Sequence, residues 1–448
     1  MDTNKPYNRR AFLQTSATLL GAAGAASSSA KAAPSDRVNL GFIGMGIRGT
    51  HLLKTFQKLP GVNPAGVVDL YDGYLQNARE LTDDKLWTGK DYRKLLERKD
   101  IDAVTIATPD HWHTRIVLDA ISAGKDVYCE KPMTWSLEEG YRIMNAMKTS
   151  DRILQIGSEP KSSAKTAKAR EIVKSGVLGK INLVRAADYR DSKDGAWIYP
   201  IPPDASPATV DWNTFLGPAP KIPWSPERFF RWRCWWEYSG GIATDMFVHM
   251  LTTLHEILDV KTPANVASNG GTYTWTDGRT VPDVMISVFE YPENFQMQLC
   301  VDFGSSKGNV VGRGQVFQGT LGTLVVGGTD GELVIYREDP NQIAKQNAGH
   351  FPRKLREAFQ HSQGFEADGT PKRPLPKPND KEVMAVVRDP ERPSHMGFFI
   401  KSVKDRSHSV EDAEAGHNAA AAAHMASQAY RRHRMVGIDR ASGKMVDL

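Results

Sequence analysis

The sequence predicts an α/β chain of two unlike halves, a doubly wound parallel sheet followed by an α+β half with a mostly antiparallel sheet. Three observations predict it. From Val38 to Ile156, short apolar runs alternate with stretches of helical periodicity across short connections. A glycine-rich turn joins the first apolar run to the first helix. Beyond Gly157, strand-like runs follow one another between Gly, Pro and Asp turns.

In the first half, Val38–Ile43 reads as a buried strand and Ile47–Leu59 as the helix after the glycine turn. Val62–Leu70 is the second strand, ending in Val67-Val68-Asp69. Asp102–Thr108 is a strand, followed by a turn and a helix from His113 to Ala123. Lys125–Cys129 runs as a strand into Glu130-Lys131-Pro132, Leu137–Lys148 is helical by spacing, and Ile153–Ile156 closes the series.

In the second half, Ile181–Tyr189, Val266–Tyr273, Val284–Tyr291, Phe295–Phe303, Gln315–Gly319, Leu321–Val326 and Glu332–Tyr336 read as strands, interrupted by a helix at Gly241–Leu258. Two long inserts stand out. Asp191–Trp236 is rich in Pro and Trp, and Asn341–Lys381 is polar and reads as a mobile surface loop. Ser409 with Asp412 forms a capping-box pattern before a last helix, Ala413–Arg434. The expected divisions are a leader at 1–33, a nucleotide-binding domain at 34–157, a second domain at 158–408 and a terminal helix region at 409–448.

The leader rests on Asn8-Arg9-Arg10-Ala11-Phe12-Leu13-Gln14, a twin-arginine export signal. A weakly apolar stretch, Ala11 to Ala26, follows, and Ala30-Lys31-Ala32 offers a cleavage site. The stretch is too short and too rich in Ala, Gly and Ser to span a bilayer. The signal implies the twin-arginine translocation machinery as a partner and a periplasmic or otherwise exported location. An uncleaved anchor or a disordered tail is the competing reading of this segment.

The 448 residues suffice for two ordinary domains. Residues 1–32 carry four basic groups and one acid, so only +2 of the formal charge of +5 belongs to the rest, and no nucleic-acid partner is called for. Cys129, Cys234 and Cys300 are too few and too scattered for a disulfide framework or a zinc site.

Gly44-Met45-Gly46-Ile47-Arg48-Gly49 has the spacing of a dinucleotide loop between strand and helix. The first glycine allows the tight turn, the second lets the backbone approach a pyrophosphate, and the third lets helix and strand pack closely. Asp69, some twenty residues on, is placed to accept hydrogen bonds from a ribose and to repel a 2′-phosphate, so NAD is favoured over NADP. Thr108-Pro109-Asp110-His111-Trp112-His113 follows a strand at the carboxyl edge of the sheet, where ligands sit. His113 there reads equally as a contact on the nicotinamide side and as a packing residue.

Glu130-Lys131-Pro132 lies on the same edge, one crossover later. At a cleft mouth Lys131 would bind a substrate hydroxyl and stabilise the alkoxide that develops. From spacing alone it reads as a surface lysine. Gly240-Gly241-Ile242-Ala243-Thr244-Asp245-Met246-Phe247-Val248-His249 puts Asp245 and His249 four apart on one helix. The imidazole, with an ordinary pKa near neutrality, would accept a proton, and the carboxylate would orient it. The competing readings are a structural helix pair and a metal site, and for a metal no third ligand is apparent.

In this order, these motifs closely resemble the Gfo/Idh/MocA oxidoreductases, from about Val38 to Ile438. The resemblance implies a Rossmann domain plus a C-terminal domain with a large, mostly antiparallel open sheet that forms homo-oligomer contacts. It implies NAD(P)-dependent oxidation or reduction of a sugar or polyol, with catalytic roles for Lys131, Asp245 and His249. Cofactor contacts would come from Gly44, Met45, Gly46, Ile47 and Gly49, from Asp69, from Thr108, Pro109 and His113, and from Glu130 and Lys131. The final helix would pack back on the nucleotide domain.

Six tryptophans fall within Trp197–Trp236. Indole faces pack on the C–H faces of sugar rings, and Arg231 and Arg233 could reach hydroxyls or an acid group. Trp112, Arg231, Trp232 and Trp235 are the candidates for substrate contact, and for most of the tryptophans the alternative is packing. The expectation is an exported oxidoreductase that keeps its NAD bound and recycles it within one catalytic cycle. The competing expectations are a redox-neutral NAD-dependent glycoside hydrolase and a non-catalytic sugar or nucleotide sensor.

Overall fold

A computed structural model of the chain describes residues 37–306, 314–327, 332–344, 346–366, 370–374, 380–384, 391–439 and 442–448. The export signal lies outside the described residues. The first sheet contains β1 (Val38–Ile43), β2 (Val62–Val68), β3 (Trp87–Gly89), β4 (Ala103–Ile106), β5 (Asp126–Cys129) and β6 (Leu154–Ile156) in the order β3-β2-β1-β4-β5-β6. All neighbours pair in parallel. The order reverses at β1, and a doubly wound sheet opens a crevice beyond its strand ends at such a point. β3 was not anticipated, because Trp-Thr-Gly carries no apolar run; it is held by pairing Trp87 with Gly66.

Helices α1 (Ile47–Phe56), α2 (Asp72–Glu80), α3 (Tyr92–Leu96), α4 (Asp110–Ser122) and α5 (Leu137–Lys148) connect these strands. Leu52, Leu53 and Phe56 of α1 bury against β1, in one core with Phe399 of the helix His395–Asp405. Ile116 and Val117 of α4 and Ile143 of α5 form another core with Val104 and Ile106. Side chains repeating every three to four residues on one helix stripe can all face the sheet, and that burial is what holds helix to sheet.

The second sheet has ten strands, and among its described pairs only Ile181–Tyr189 (β7) with Phe295–Asp302 runs parallel. In the strand Val284–Tyr291, Met285, Phe289 and Tyr291 are buried while Ile286 and Val288 are exposed, so the sheet is half-covered. The covering elements are the helices Val248–Leu258, whose Leu251 and Leu254 share a core with Met285 and Phe289, and Ala413–Arg432. Ala419–Ala423 in the latter are buried, and small side chains permit that close approach. This last helix also packs on α5.

Four expectations are corrected. The capping box does not form: Asp412 alone caps the last helix through Ala415 N–H, while Ser409 Oγ donates to Leu154 O at 2.7 Å. That helix ends at Arg432, and Val436–Asp439 and Lys444–Asp447 extend the large sheet. Within 341–381 the described residues include the helix Arg353–Ser362, because its apolar residues recur at helical spacing despite the polar composition. The helix expected at Gly241–Leu258 opens with a π-turn, Ala243–Phe247, before α-geometry resumes at Val248.

Candidate active site

The cleft at the carboxyl end of the first sheet has a volume of about 830 Å³. The glycine loop forms one wall. Gly44 has φ +89°, and a Cβ there would meet the Ala107 backbone at 2.7 Å. A Cβ on Gly49 would fall 1.8 Å from Gly44 O, so only glycine lets α1 start against the strand. At Gly46 a Cβ would meet nothing nearer than Tyr74, at 3.8 Å, so this glycine leaves open space on the cleft side. α1 begins at Ile47 with no side-chain cap and no acid in its first turn, so its leading N–H groups remain available to an anion.

Asp69 holds the far end of the loop. Its Oδ2 accepts from Met45 N–H at 2.6 Å and its Oδ1 from Tyr71 N–H at 2.9 Å. Burial pushes this carboxyl up to about 6, against the pull of those backbone donors. Each oxygen keeps a lone pair for a ribose hydroxyl. Thr108, whose buried Oγ1 has no partner, lines the cleft with Ile47, Pro109 and Trp112. Open space at Gly46, a bare helix N-terminus, a carboxylate at the strand end and an orphaned hydroxyl together fit a dinucleotide.

His113 does not line the cleft. It is buried, with Nδ1 2.7 Å from Pro132 O and Nε2 2.9 Å from Thr108 O. With one N–H on the neutral ring, it donates to one of these turns and packs against the other, buried between them, which corrects the expected nicotinamide contact. Glu130 is likewise off the cleft wall: Arg48, inside the glycine loop, donates to Glu130 at 2.6 Å and to Glu159 at 2.6 Å. Burial works against the Glu130 charge and raises its pKa, while Arg48 opposes the rise.

Lys131 crosses to the second half of the chain. Its Nζ donates to Asp245 Oδ1 at 2.7 Å and to Asp245 O at 2.8 Å, with the two side chains 9% and 12% exposed. Arg233 Nε donates to the same Oδ1 at 3.1 Å. Burial disfavours the Asp245 charge, but Lys131 and Arg233 outweigh it and hold the carboxyl well below its usual range. Asp110, at the start of α4, is buried beside this group and pushed up to about 7 by burial and by the Asp245 charge.

His249 lies one turn beyond Asp245. Its buried Nδ1 has no hydrogen-bond partner, so Asp245 does not orient the imidazole as expected. The carboxylate is committed to Lys131 and Arg233, and the π-turn alters the four-residue stacking of an α-helix. Burial and the neighbouring Lys131 charge press His249 down to about 3, not near neutrality. Lys131, Asp245 and His249 do not line the cleft; Arg233, which does, reaches Asp245 and through it Lys131.

Of the substrate candidates, Trp112 and Trp232 line the cleft, and Arg231 and Trp235 do not. Trp112 Nε1 donates to Phe215 O, Arg231 Nε donates to Tyr199 O, and Trp235 is buried with Arg228 over its ring. Trp197 and Trp212 are core residues as well, because the insert packs on itself. Residues passed over by the selection from sequence are Arg48, Asp110, Tyr199 and Arg233. Arg48 stood inside the glycine motif and Arg233 beside Trp232, but adjacency in sequence could not choose between Arg231 and Arg233.

Residues 38–158 match an oxidoreductase family described by its NAD-binding Rossmann fold, and residues 162–273 match the C-terminal alpha/beta domain of the same family. A glycosyl hydrolase family 109 protein of Shewanella baltica (strain OS155) is 28% identical over 179 residues, covering 36% of this chain and 39% of that protein. A glycosyl hydrolase family 109 protein 1 of Shewanella sp. (strain MR-4) is 28% identical over 177 residues, with the same coverage. The chain thus matches these curated relatives over about two fifths of their length. Among solved structures, an NAD-binding protein from Listeria innocua superposes with a TM-score of 0.62 at 18% identity, covering 90% of this chain and 99% of that one. Levoglucosan dehydrogenase in complex with NADH and levoglucosan gives 0.60 at 17% identity, covering 90% and 100%. At these identities the likeness is one of fold.

Proposed function

Because the chain belongs to the Gfo/Idh/MocA family of NAD-binding oxidoreductases, we propose that it moves a hydride between tightly held NAD and a hydroxyl-bearing carbon of a sugar or polyol. The observation that carries this reading is the clamp of Lys131 on Asp245, with an unpartnered histidine one turn away. Bound NAD supplies the hydride acceptor and donor. The α1 N-terminus and the space at Gly46 would hold its phosphates, and Asp69 would hold a ribose.

An ammonium has three donors, and Asp245 takes two of those on Lys131. The third remains for a substrate hydroxyl that reaches past Arg233 on the cleft wall, where the ammonium would stabilise the oxyanion that develops. His249 stays neutral at physiological pH, with its burial preventing a resting charge, and takes the hydroxyl proton. Asp245 acts on Lys131 as a positioning residue.

The test begins with purified protein, denatured to identify any released nucleotide. Native protein is then given sugars labelled at each C–H, and label in the bound NAD is measured. Lys131→Ala and His249→Ala are expected to keep nucleotide and lose label transfer by about 100-fold or more. Full transfer in both variants would remove the assigned roles.

A second reading has one observation in its favour, the 28% identity to glycosyl hydrolase family 109 proteins. Oxidation of a glycoside hydroxyl acidifies the neighbouring C–H; the leaving group is eliminated, water adds, and the hydride returns. This reading expects glycoside cleavage without consumption of added NAD.

Export through the twin-arginine route, resting on Arg9 and Arg10, belongs to the proposal. Replacing both with lysine is expected to retain the protein in the cytoplasm. Self-association through the open sheet face, where Ile286 and Val288 are exposed, belongs to it too. Ile286→Glu with Val288→Glu is expected to lower the mass seen by light scattering.

A further inference from the structure

We infer that the substrate of this cleft carries a carboxylate, and that Arg233 binds it: the class is a sugar acid rather than a neutral sugar. The inference rests on the proposed hydride transfer at the same site for its sugar part, and on charge and geometry for its acid part.

Arg233 sits on the cleft wall, on the short turn Trp232–Cys234. Its guanidinium lies 4.2 Å over the Trp232 ring, which fixes the plane of the fork. Nε is committed to Asp245. Nη1 and Nη2 have no hydrogen-bond partner among the described residues, and the side chain keeps 22% of its surface exposed. A guanidinium with its Nε side occupied presents the Nη1–Nη2 edge, which matches the two oxygens of a carboxylate.

In direct contact, two cations meet one acid: Lys131 and Arg233 share Asp245. Asp110 adds little, because burial beside Asp245 keeps much of it protonated near neutrality. Arg190, which bears on His249 and Tyr199, has its own partner in Asp188 at 3.3 Å. Arg48 meets two acids, Glu130 and Glu159, and the Glu130 charge also bears on Lys131. A cation that shares its counter-charge gains from a ligand that brings another. A neutral sugar leaves the Arg233 fork without a counter-charge of its own; a sugar acid supplies one.

The test is calorimetric titration of the NAD-loaded protein with hexuronates, the parent hexoses, the hexuronate methyl esters and hexose phosphates. At least one hexuronate is expected to bind about tenfold or more tightly than its hexose and its ester. Arg233→Gln is expected to bring that ratio toward one, and Arg233→Lys, which keeps the charge but not the fork, to recover part of it. Equal or weaker binding of every acid, binding of none, or preference for the phosphates would overturn the inference. The wild-type comparison of acid with ester stands even if a variant fails to fold. Hydride-label transfer is read separately: an acid that binds without delivering label overturns the dehydrogenase reading and leaves the carboxylate site standing.

Discussion

Lys131 grips Asp245 twice, at the side-chain oxygen and at the main-chain oxygen, 2.7 and 2.8 Å away. The two residues stand 114 positions apart and belong to different halves of the chain, so the contact joins the nucleotide-binding sheet to the helix that carries His249. Both side chains are nearly buried, and a buried pair is harmed most when one partner is removed. Asp245→Ala leaves Lys131 and Arg233 without their shared counter-charge and is expected to cost about 3–5 kcal/mol of stability. Adding Lys131→Met is expected to recover part of that loss. Denaturant unfolding of the single and double variants checks this, and an undiminished midpoint for Asp245→Ala would contradict it.

The glycine loop gives a paired prediction. Gly49→Ala puts a methyl 1.8 Å from Gly44 O and is expected to unseat α1, lowering stability by several kcal/mol. Gly46→Ala adds its methyl to open space and is expected to change stability by less than about 1 kcal/mol. Bound nucleotide is nevertheless expected to fall in Gly46→Ala, because the methyl projects where the phosphates approach. Thermal unfolding and nucleotide content, measured on the same samples, separate the two effects.

Asp69→Ser removes the carboxylate that a 2′-phosphate would meet. NADP is expected to gain at least about tenfold relative to NAD, since like charges brought together cost several kcal/mol. Overall nucleotide affinity is expected to fall as well, because Met45 and Tyr71 lose their acceptor. Competition binding with both nucleotides measures the ratio, and an unchanged ratio would remove Asp69 from cofactor selection.

Stability is expected to decline on acidification. His111, His113, His249, His255, His395, His417 and His424 are all held below the ordinary imidazole pKa, chiefly by burial. The unfolded chain therefore takes up more protons than the folded one as pH falls from about 6.5, and stability is lost through that window. Asp69, Asp110, Glu130 and Glu411 are raised by burial and act in the opposite sense. Their contribution is whole below the unfolded carboxyl pKa and is lost as pH rises, through about 6 for Asp69, about 7 for Asp110 and about 8 for Glu411. The histidines are more numerous, so Tm is expected to peak near pH 6.5, within about one unit, and to fall more steeply on the acid side. A Tm that climbs between about pH 6 and pH 5 would show the balance reversed.

Much of the fold could be read from residues alone. Val38–Ile43, Leu137–Lys148, Ile181–Tyr189 and Val284–Tyr291 run as their periodicity predicts. Trp87–Gly89 could not be read, since three residues hold a strand only through their neighbour. The π-turn at Ala243–Phe247 was hidden because its residue types suit an ordinary helix. In the site, the glycine spacing identified the nucleotide loop, but the insert's alternation of Trp and Arg did not say which of them faces the cleft.

What the chain's sequence determined by itself is local: where strands and helices run, which glycines make the loop, and which residue types are able to bind NAD and move a proton. Tertiary structure decided the pairings. It gave Asp245 to Lys131 and Arg233 instead of His249, took His113 and Glu130 off the cleft wall, and turned Arg233 rather than Arg231 toward the cavity. Periodicity fixes a side chain's direction relative to its own element; which charges meet depends on how distant elements dock, and docking is governed by burial over the whole core.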